Sequence, residues 1–228
     1  MTGPVVVAID GPAGSGKSTL SRALATRLGL ERLDTGAMYR SVAWAVLQRG
    51  VDTEDRDAVA GLAGDLSIEV GDRVVADGTD ITEAIRGPEV SAAVSAVAAN
   101  PAVRAVMVER QRQWVTTHGG GVVEGRDIGS VVLPDADLKV WLVADAGVRA
   151  ARRAAEDAAA GRLPHAHGPG MVDAVAEDLA RRDVADATRS VSPTTQADDA
   201  VVVDATHLGL AQVIDAVVTL VRERTAAP

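Results

Sequence analysis

The chain has 228 residues, 47% of them hydrophobic, a net charge of −9 and no cysteine. That apolar share is ample for a core, in one domain with an insertion or in two small ones. The only aromatics are Trp44, Trp114, Trp141 and Tyr39, so Ala, Val and Leu must fill the core. The missing cysteine excludes disulfides, thiolate catalysis and cysteine-based zinc sites, and the acidic balance argues against broad binding to nucleic acid or anionic membranes.

The first predicted element is the β-branched run VVVAI (5–9), which reads as a buried strand. It leads into Gly11-Pro12-Ala13-Gly14-Ser15-Gly16-Lys17-Ser18-Thr19, where Gly11, Gly16, Lys17 and Ser18 have the spacing of a phosphate-binding loop. A helix follows over 18–28, with Leu20, Ala23, Leu24 and Leu28 at helical spacing and Gly29 as its stop. Strand, loop and helix are the context this pattern requires. The glycines let backbone N–H groups turn toward phosphate oxygens, and the helix N-terminus adds positive charge there. Lys17 is one of two lysines among twenty-one arginines. A compact ammonium threads a small loop where a planar guanidinium does not. Its expected partners are the β- and γ-phosphates of a nucleotide, and the Ser18 hydroxyl is expected on Mg²⁺. The competing reading is a glycine turn with an incidental lysine. By average composition the pattern arises by chance in such a chain at a frequency of roughly 1%, so the phosphate loop is preferred.

Further along, ERLD (31–34) is a strand candidate and 36–49 a helix. Residues 66–82, LSIEVGDRVVADGTDIT, alternate apolar and polar with Gly-Asp and Asp-Gly turns. They predict a small antiparallel meander, flanked by alanine-rich helices and inserted outside the main sheet. A helix over 101–117 precedes the strand GVVEG (121–125), then come the strand LKVWLV (138–143) and a helix over 147–160. GRLPHAHGPG (161–170) reads as a flexible loop. A helix over 171–186, the strand AVVVDA (200–205) and a helix over 209–225 complete the chain. The alternation predicts an α/β fold with a five-stranded parallel sheet covered by helices on both faces. His165 and His167 are read as solvated loop residues rather than metal ligands, since no Cys or carboxylate neighbours them. No signal peptide or long apolar span is visible, which leads to the expectation of a cytoplasmic protein. No long exposed apolar helix face stands out, which leads to that of a monomer.

A phosphate loop alone leaves several classes open. A switch GTPase needs an Asn-Lys-x-Asp element, and the only asparagine is Asn100 in ANPAV. A large motor or transporter ATPase needs more chain, so small-molecule kinases remain. Arg40 in LDTGAMYR, Arg126 in EGRD, and Arg182 and Arg189 in RRDVADATR fall at strand ends or on the helices that follow, the edge where α/β folds bind ligands. A phosphate acceptor needs such cationic forks. Taken singly each arginine reads equally as a surface ion-pair partner; four at one edge favour an acceptor site.

These motifs, with VSAVAANPAVR (94–104) and EGRDIGSVVLPDADLKVWL (124–142), resemble the bacterial cytidylate kinases over essentially the whole chain. The resemblance implies a P-loop kinase with a nucleoside monophosphate-binding insertion at about 63–105 and a short lid at about 150–170 in one domain. It implies transfer of the γ-phosphoryl of ATP, with Mg²⁺, to CMP or dCMP. By the same resemblance, Thr35, Arg40 and Arg126 hold the acceptor phosphate, with Tyr39 beside them in the motif. Ser95, Arg104 and Asp127 read cytosine, and Arg182 and Asp186 meet the ribose, with Arg189 nearby. Arg152, Arg153 and Arg162 are the candidates for neutralising the moving phosphoryl. Glu124 stands where related kinases often carry an Asp that orients Mg²⁺ through water, Thr35 where Ser is common, and SPTTQADD (192–199) departs from the usual Pro-Leu stretch. The competing reading for Asp127 is an ion pair with its neighbour Arg126. Open alternatives are a P-loop kinase of UMP, shikimate or dephospho-coenzyme A, and a nucleotide-binding regulator without turnover.

Overall fold

The computed structural model describes residues 5–161, 170–189 and 191–226. Five parallel strands form the main sheet: β1 (Val6–Asp10), β2 (Arg32–Asp34), β6 (Gly121–Glu124), β7 (Leu138–Val143) and β8 (Val201–Asp204), in the order β2-β6-β1-β7-β8. β1 lies at the centre, with Ala8 opposite Val123 on one side and opposite Lys139 on the other. Its continuous apolar run is what a strand covered on both faces requires. The five strands are those expected from the sequence.

Helices cover both faces. On one, Leu20 and Leu24 of α1 (Lys17–Leu28) pack with Val213, Val217 and Val221 of α8 (Leu210–Ala226) and with Ile9 and Val140 of the sheet. On the other, Val42 and Val46 of α2 (Thr35–Gln48) and Met107 of α5 (Pro101–His118) pack with Ala8, Leu33 and Val123.

The insertion holds α3 (Arg56–Asp65), the antiparallel strands β3 (Ile68–Val70), β4 (Val74–Ala76) and β5 (Thr79–Asp80), and α4 (Pro88–Ala99). It forms a separate sheet from the main one, yet it shares a core with it. Val74, Ala76, Ile81 and Ile85 belong to the same buried cluster as Val42 and Leu33. Asn100, the chain's only asparagine, makes the corner between α4 and α5, which meet at 93°. Its Oδ1 accepts the Ala102 N–H at 3.0 Å while its Nδ2 donates to the Arg56 carbonyl at 2.8 Å. Pro88 and Pro101 open the two helices at positions where no N–H is needed. The corner sets Ser95 of α4 and Arg104 of α5 beside one cleft.

After β7, α6 (Ala146–Ala159) and α7 (Gly170–Ala187) pack on each other and on the tip of the loop after β1. Arg162, His165, His167 and most of the loop expected at 161–170 lie outside the described residues. No single helix among the described residues is long and apolar enough to cross a membrane.

Candidate active site

The centre of the site is the loop between β1 and α1. Gly11 has φ +148, and a Cβ there would lie 2.1 Å from the Leu142 carbonyl oxygen, so the strand-to-loop turn admits only glycine. Gly16, at φ 96, caps α1 in the left-handed region and starts the helix at Lys17. The Lys17 ammonium is buried and donates to the carbonyls of Gly11 (2.8 Å) and Pro12 (2.7 Å) and to Ser15 Oγ (3.5 Å). Burial, then the nearby Arg126 charge, holds its pKa well below the ordinary lysine value. Ala13, Gly14, Gly16, Lys17, Ser18 and Thr19 all line a cleft of about 360 Å³, while Ser15 is buried within the turn and the half-buried Pro12 does not line the cleft.

Arg149 and Asp183, to which the sequence reading gave no role, hold the tip of this loop. Asp183 Oδ1 accepts the Ala13 N–H at 2.8 Å, Arg149 Nη1 donates to the Ala13 carbonyl at 2.8 Å, and the two side chains pair at 2.5 Å. Asp183 lies within RRDVADATR, so its motif was visible; its contact 170 residues away was not.

Arginines gather on the far side of the same cleft. Arg40, Arg126, Arg153, Arg182 and Arg189 all line it, brought there by α2, the segment after β6, α6, α7 and the residues just after α7. Asp186 accepts from Arg126 Nε at 2.9 Å and also pairs with Arg189. Arg126 Nη1 donates to the Gly11 carbonyl at 2.8 Å. Arg40 bonds the Ile85 carbonyl (3.2 Å) and Ser91 Oγ (3.1 Å), and neither it nor Arg182 has a carboxylate ion-pair partner among the described residues. Burial, then the like charges of Arg182 and Arg153, lowers the Arg40 pKa to about 9. Burial and Arg126 lower Arg182 likewise. Such a cluster of crowded guanidinium groups attracts a multiply charged anion. Of the three arginines expected on the moving phosphoryl, Arg153 lines the cleft, where it also pairs with Asp157 at 2.8 Å. Arg152 is instead held on the Ala205 carbonyl at 2.7 Å, near Gly16.

At the insertion side, Arg104 Nη2 pairs with Asp127, and both side chains are buried. This corrects the competing reading for Asp127: its partner is Arg104 of α5, while Arg126 turns to Asp186. Arg104 Cζ sits 5.5 Å from the centroid of the Tyr39 ring, a cation–π distance, and burial pushes the Tyr39 hydroxyl up to about 12. The half-buried Ser95 lines the same part of the wall.

Behind Ser18 lies Glu124. Its Oε1 accepts from Ser21 Oγ at 3.0 Å and from Arg32 Nη1 at 2.9 Å. Burial, then the Asp34 charge, raises its pKa to about 7 against the pull of Arg32, Lys17 and the Ser18 hydroxyl. Asp34 lines the cleft too, and it caps α2 by accepting the Ala37 N–H at 3.0 Å. Thr35 is buried and donates its hydroxyl proton to the Glu124 carbonyl at 2.7 Å, so that proton is directed at the backbone. No group of three or more His, Cys, Asp or Glu side chains among the described residues is placed to cage a metal. The Ser18 hydroxyl with the carboxylates of Asp34 and Glu124 nearby suits Mg²⁺, a hard ion that keeps several waters and binds through one or two protein oxygens and substrate phosphates.

The cytidylate kinase family model matches residues 7–223. The cytidylate kinase of Rhodococcus opacus (strain B4) is 49% identical over 229 residues, which cover 98% of this chain and 97% of that one. That of Mycobacterium avium (strain 104) is 49% identical over 99% of this chain and 98% of its own. Among solved structures, an uncharacterized protein from Eubacterium ventriosum ATCC 27560 superposes with a TM-score of 0.52 at 10% identity, covering 95% of this chain and 98% of its own, a likeness of fold alone. With its phosphate loop, its arginine-lined cleft and these full-length matches, the chain belongs to the cytidylate kinase family.

Proposed function

We propose that the chain transfers the γ-phosphoryl of ATP to CMP or dCMP, forming ADP and CDP or dCDP. A phosphate oxygen of the acceptor bonds to the γ-phosphorus as the bond to the β–γ bridging oxygen breaks, and no protein base is required because that oxygen is already nucleophilic. Catalysis is then positioning and charge neutralisation. Lys17 exchanges its loop carbonyls for β- and γ-phosphate oxygens, Arg40 and Arg126 hold the acceptor phosphate, and Arg153 faces the transferring group. Arg182 and Asp186 meet the ribose, with Arg189 bracing Asp186. Ser18, with Asp34 and Glu124 nearby, would hold Mg²⁺, which when bound would supply Lewis-acid neutralisation of the donor phosphates.

The observation that carries the reading is the buried Arg104–Asp127 pair beside Ser95. An ionised carboxylate only accepts and a guanidinium only donates. Side by side they match the amino donor and the N3 and O2 acceptors of cytosine; uracil reverses the polarity at two of those three groups. Each opposed contact costs on the order of 1–3 kcal/mol in a desolvated site, so CMP is expected to exceed UMP in kcat/KM by about 100-fold or more. The test is ADP release with CMP, dCMP, UMP, shikimate and dephospho-coenzyme A, for the wild type and Asp127→Asn. The substituted amide can offer uracil a donor, so the CMP-to-UMP ratio should narrow, mainly through lost CMP turnover. Equal loss on both nucleotides would reduce Asp127 to a brace for Arg104. If no acceptor in the panel gives ADP, a nucleotide-binding regulator without turnover is left.

A further inference from the structure

We propose that Asp10 is a positioning residue for the nucleotide acceptor: its buried carboxylate locks the segment carrying Arg126 and Asp127 onto the root of the phosphate loop. The inference rests on the acceptor reading above and deepens it.

Asp10 ends β1 and directly precedes Gly11. Its Oδ1 accepts the Ile128 N–H at 2.8 Å and its Oδ2 accepts the Gly129 N–H at 2.7 Å. Its neighbours grip the same segment. The Gly125 N–H donates to the Ile9 carbonyl at 3.0 Å, and Arg126 Nη1 to the Gly11 carbonyl at 2.8 Å. Three consecutive residues, Ile9 to Gly11, therefore hold the chain on both sides of Asp127.

The segment bonds to itself from Val131 onward, through the N–H groups of Val131 and Val132 to the Asp127 carbonyl at 2.9 and 3.2 Å, but not at its start. It runs from the end of β6 into a single turn of π-helix (Ile128–Val132), closed by Leu133 N–H to the Ile128 carbonyl at 2.7 Å. The first N–H groups of a helical turn have no acceptor within it, and here the Asp10 carboxylate accepts them. Asp127 itself sits at φ −146, ψ 25, outside regular helix or strand geometry. Both Asp10 oxygens thus accept backbone donors, and the buried side chain does not line the cleft, so its place in the site is one of positioning. Burial, with repulsion from Asp127, raises the Asp10 pKa to about 6, so the charge is held there at an energetic cost rather than by comfort of the surroundings.

The prediction differs from that of a residue needed only for folding. A destabilised but correctly arranged enzyme loses active fraction, lowering apparent kcat for every acceptor and leaving KM values in place. A shifted Arg126–Asp127 segment misplaces the acceptor alone. Asp10→Asn keeps the shape and sets an amide donor against a backbone donor. Asp10→Ser removes the charge and keeps one acceptor, and it serves where Asp10→Asn does not fold.

Steady-state kinetics with CMP, UMP and ATP varied in turn decide the matter. The expected result is a KM for CMP raised about tenfold or more, a KM for ATP within about twofold of wild type, and a CMP-to-UMP ratio in kcat/KM lowered about tenfold. Unchanged KM values, or equal rises for CMP and ATP with the base ratio intact, would overturn the proposal; so would insolubility of both variants, which assigns Asp10 to the fold alone. The wild-type panel by itself decides the CMP reading. The variant comparison decides Asp10 and is made on whichever nucleoside monophosphate the wild type accepts.

Discussion

Lys17 shows how one residue serves two states. Its ammonium donates to loop oxygens at 2.7 and 2.8 Å, which holds it where phosphate oxygens would later take over. Burial already disfavours its charge, so removing that charge relieves a cost as well as a set of hydrogen bonds. Lys17→Met, which keeps the length of the side chain, should lower kcat about 10³-fold while moving Tm by only a few degrees. Assays of ADP formation beside a thermal melt check both halves, and near-normal turnover in the folded variant would remove Lys17 from the mechanism. Its place was legible because a short pattern encodes a local backbone path. The Arg104–Asp127 pair joins residues 23 apart on two elements, and only the resemblance put them in one site.

Among the elements, the β1–loop–α1 unit depends on close packing against β7. A methyl group at residue 11 would meet the Leu142 carbonyl oxygen at 2.1 Å from a backbone at φ +148. Neither partner is a flexible side chain, so strand and loop must part. Gly11→Ala should destabilise the fold by about 3 kcal/mol or more, seen as a fall in the urea midpoint; a midpoint within error of wild type would show that β1 and β7 are less tightly coupled than their register indicates. The same scale shows why the alanine-rich helices expected on either side of the meander, here α3 and α4, had no bounds in the sequence, and why one turn had no signal. α3 carries Gly61 and Gly64, which weaken helix propensity, and it forms because Val59, Leu62 and Ala63 bury against the core. α4 is mostly Ala and Val, with Glu89 its one charged residue, so it shows no strongly polar face from which to set bounds. The single π turn at Ile128–Val132 has no sequence signature at all.

For the molecule as a whole, buried carboxylates make stability depend on pH. Glu124 has an ordinary value of 4.5 and is raised to about 7 in the fold. Between those values the folded chain binds more protons than the unfolded one, so ∂ΔG/∂pH of unfolding is negative. Its contribution to stability is full below about 4.5 and is lost as the pH rises through about 7. Asp10 acts in the same sense between 3.8 and about 6. Glu124→Gln keeps an acceptor for Ser21 and Arg32 and cannot ionise. The variant should therefore gain on the wild type between pH 5 and pH 8, by on the order of 1–3 kcal/mol. Thermal melts of the ligand-free proteins across that range test it; a difference flat in pH would mean that Arg32 and Lys17 fully compensate the buried charge.

The sequence by itself determined the phosphate loop, the five strands, the alternation that makes the sheet parallel and the separate antiparallel meander. Each is written in neighbouring residues, through glycine spacing or through a period of two or 3.6. What only the tertiary structure decided is which charges meet. Arg126 turns from its neighbour Asp127 to Asp186, sixty residues on, and Arg149 and Asp183 close on Ala13. Asp10 clamps a segment 118 residues away. Long-range pairing of this kind follows from where the sheet order and the Asn100 corner bring chain segments together, and a charged residue carries no local mark of which distant partner will face it once both are buried.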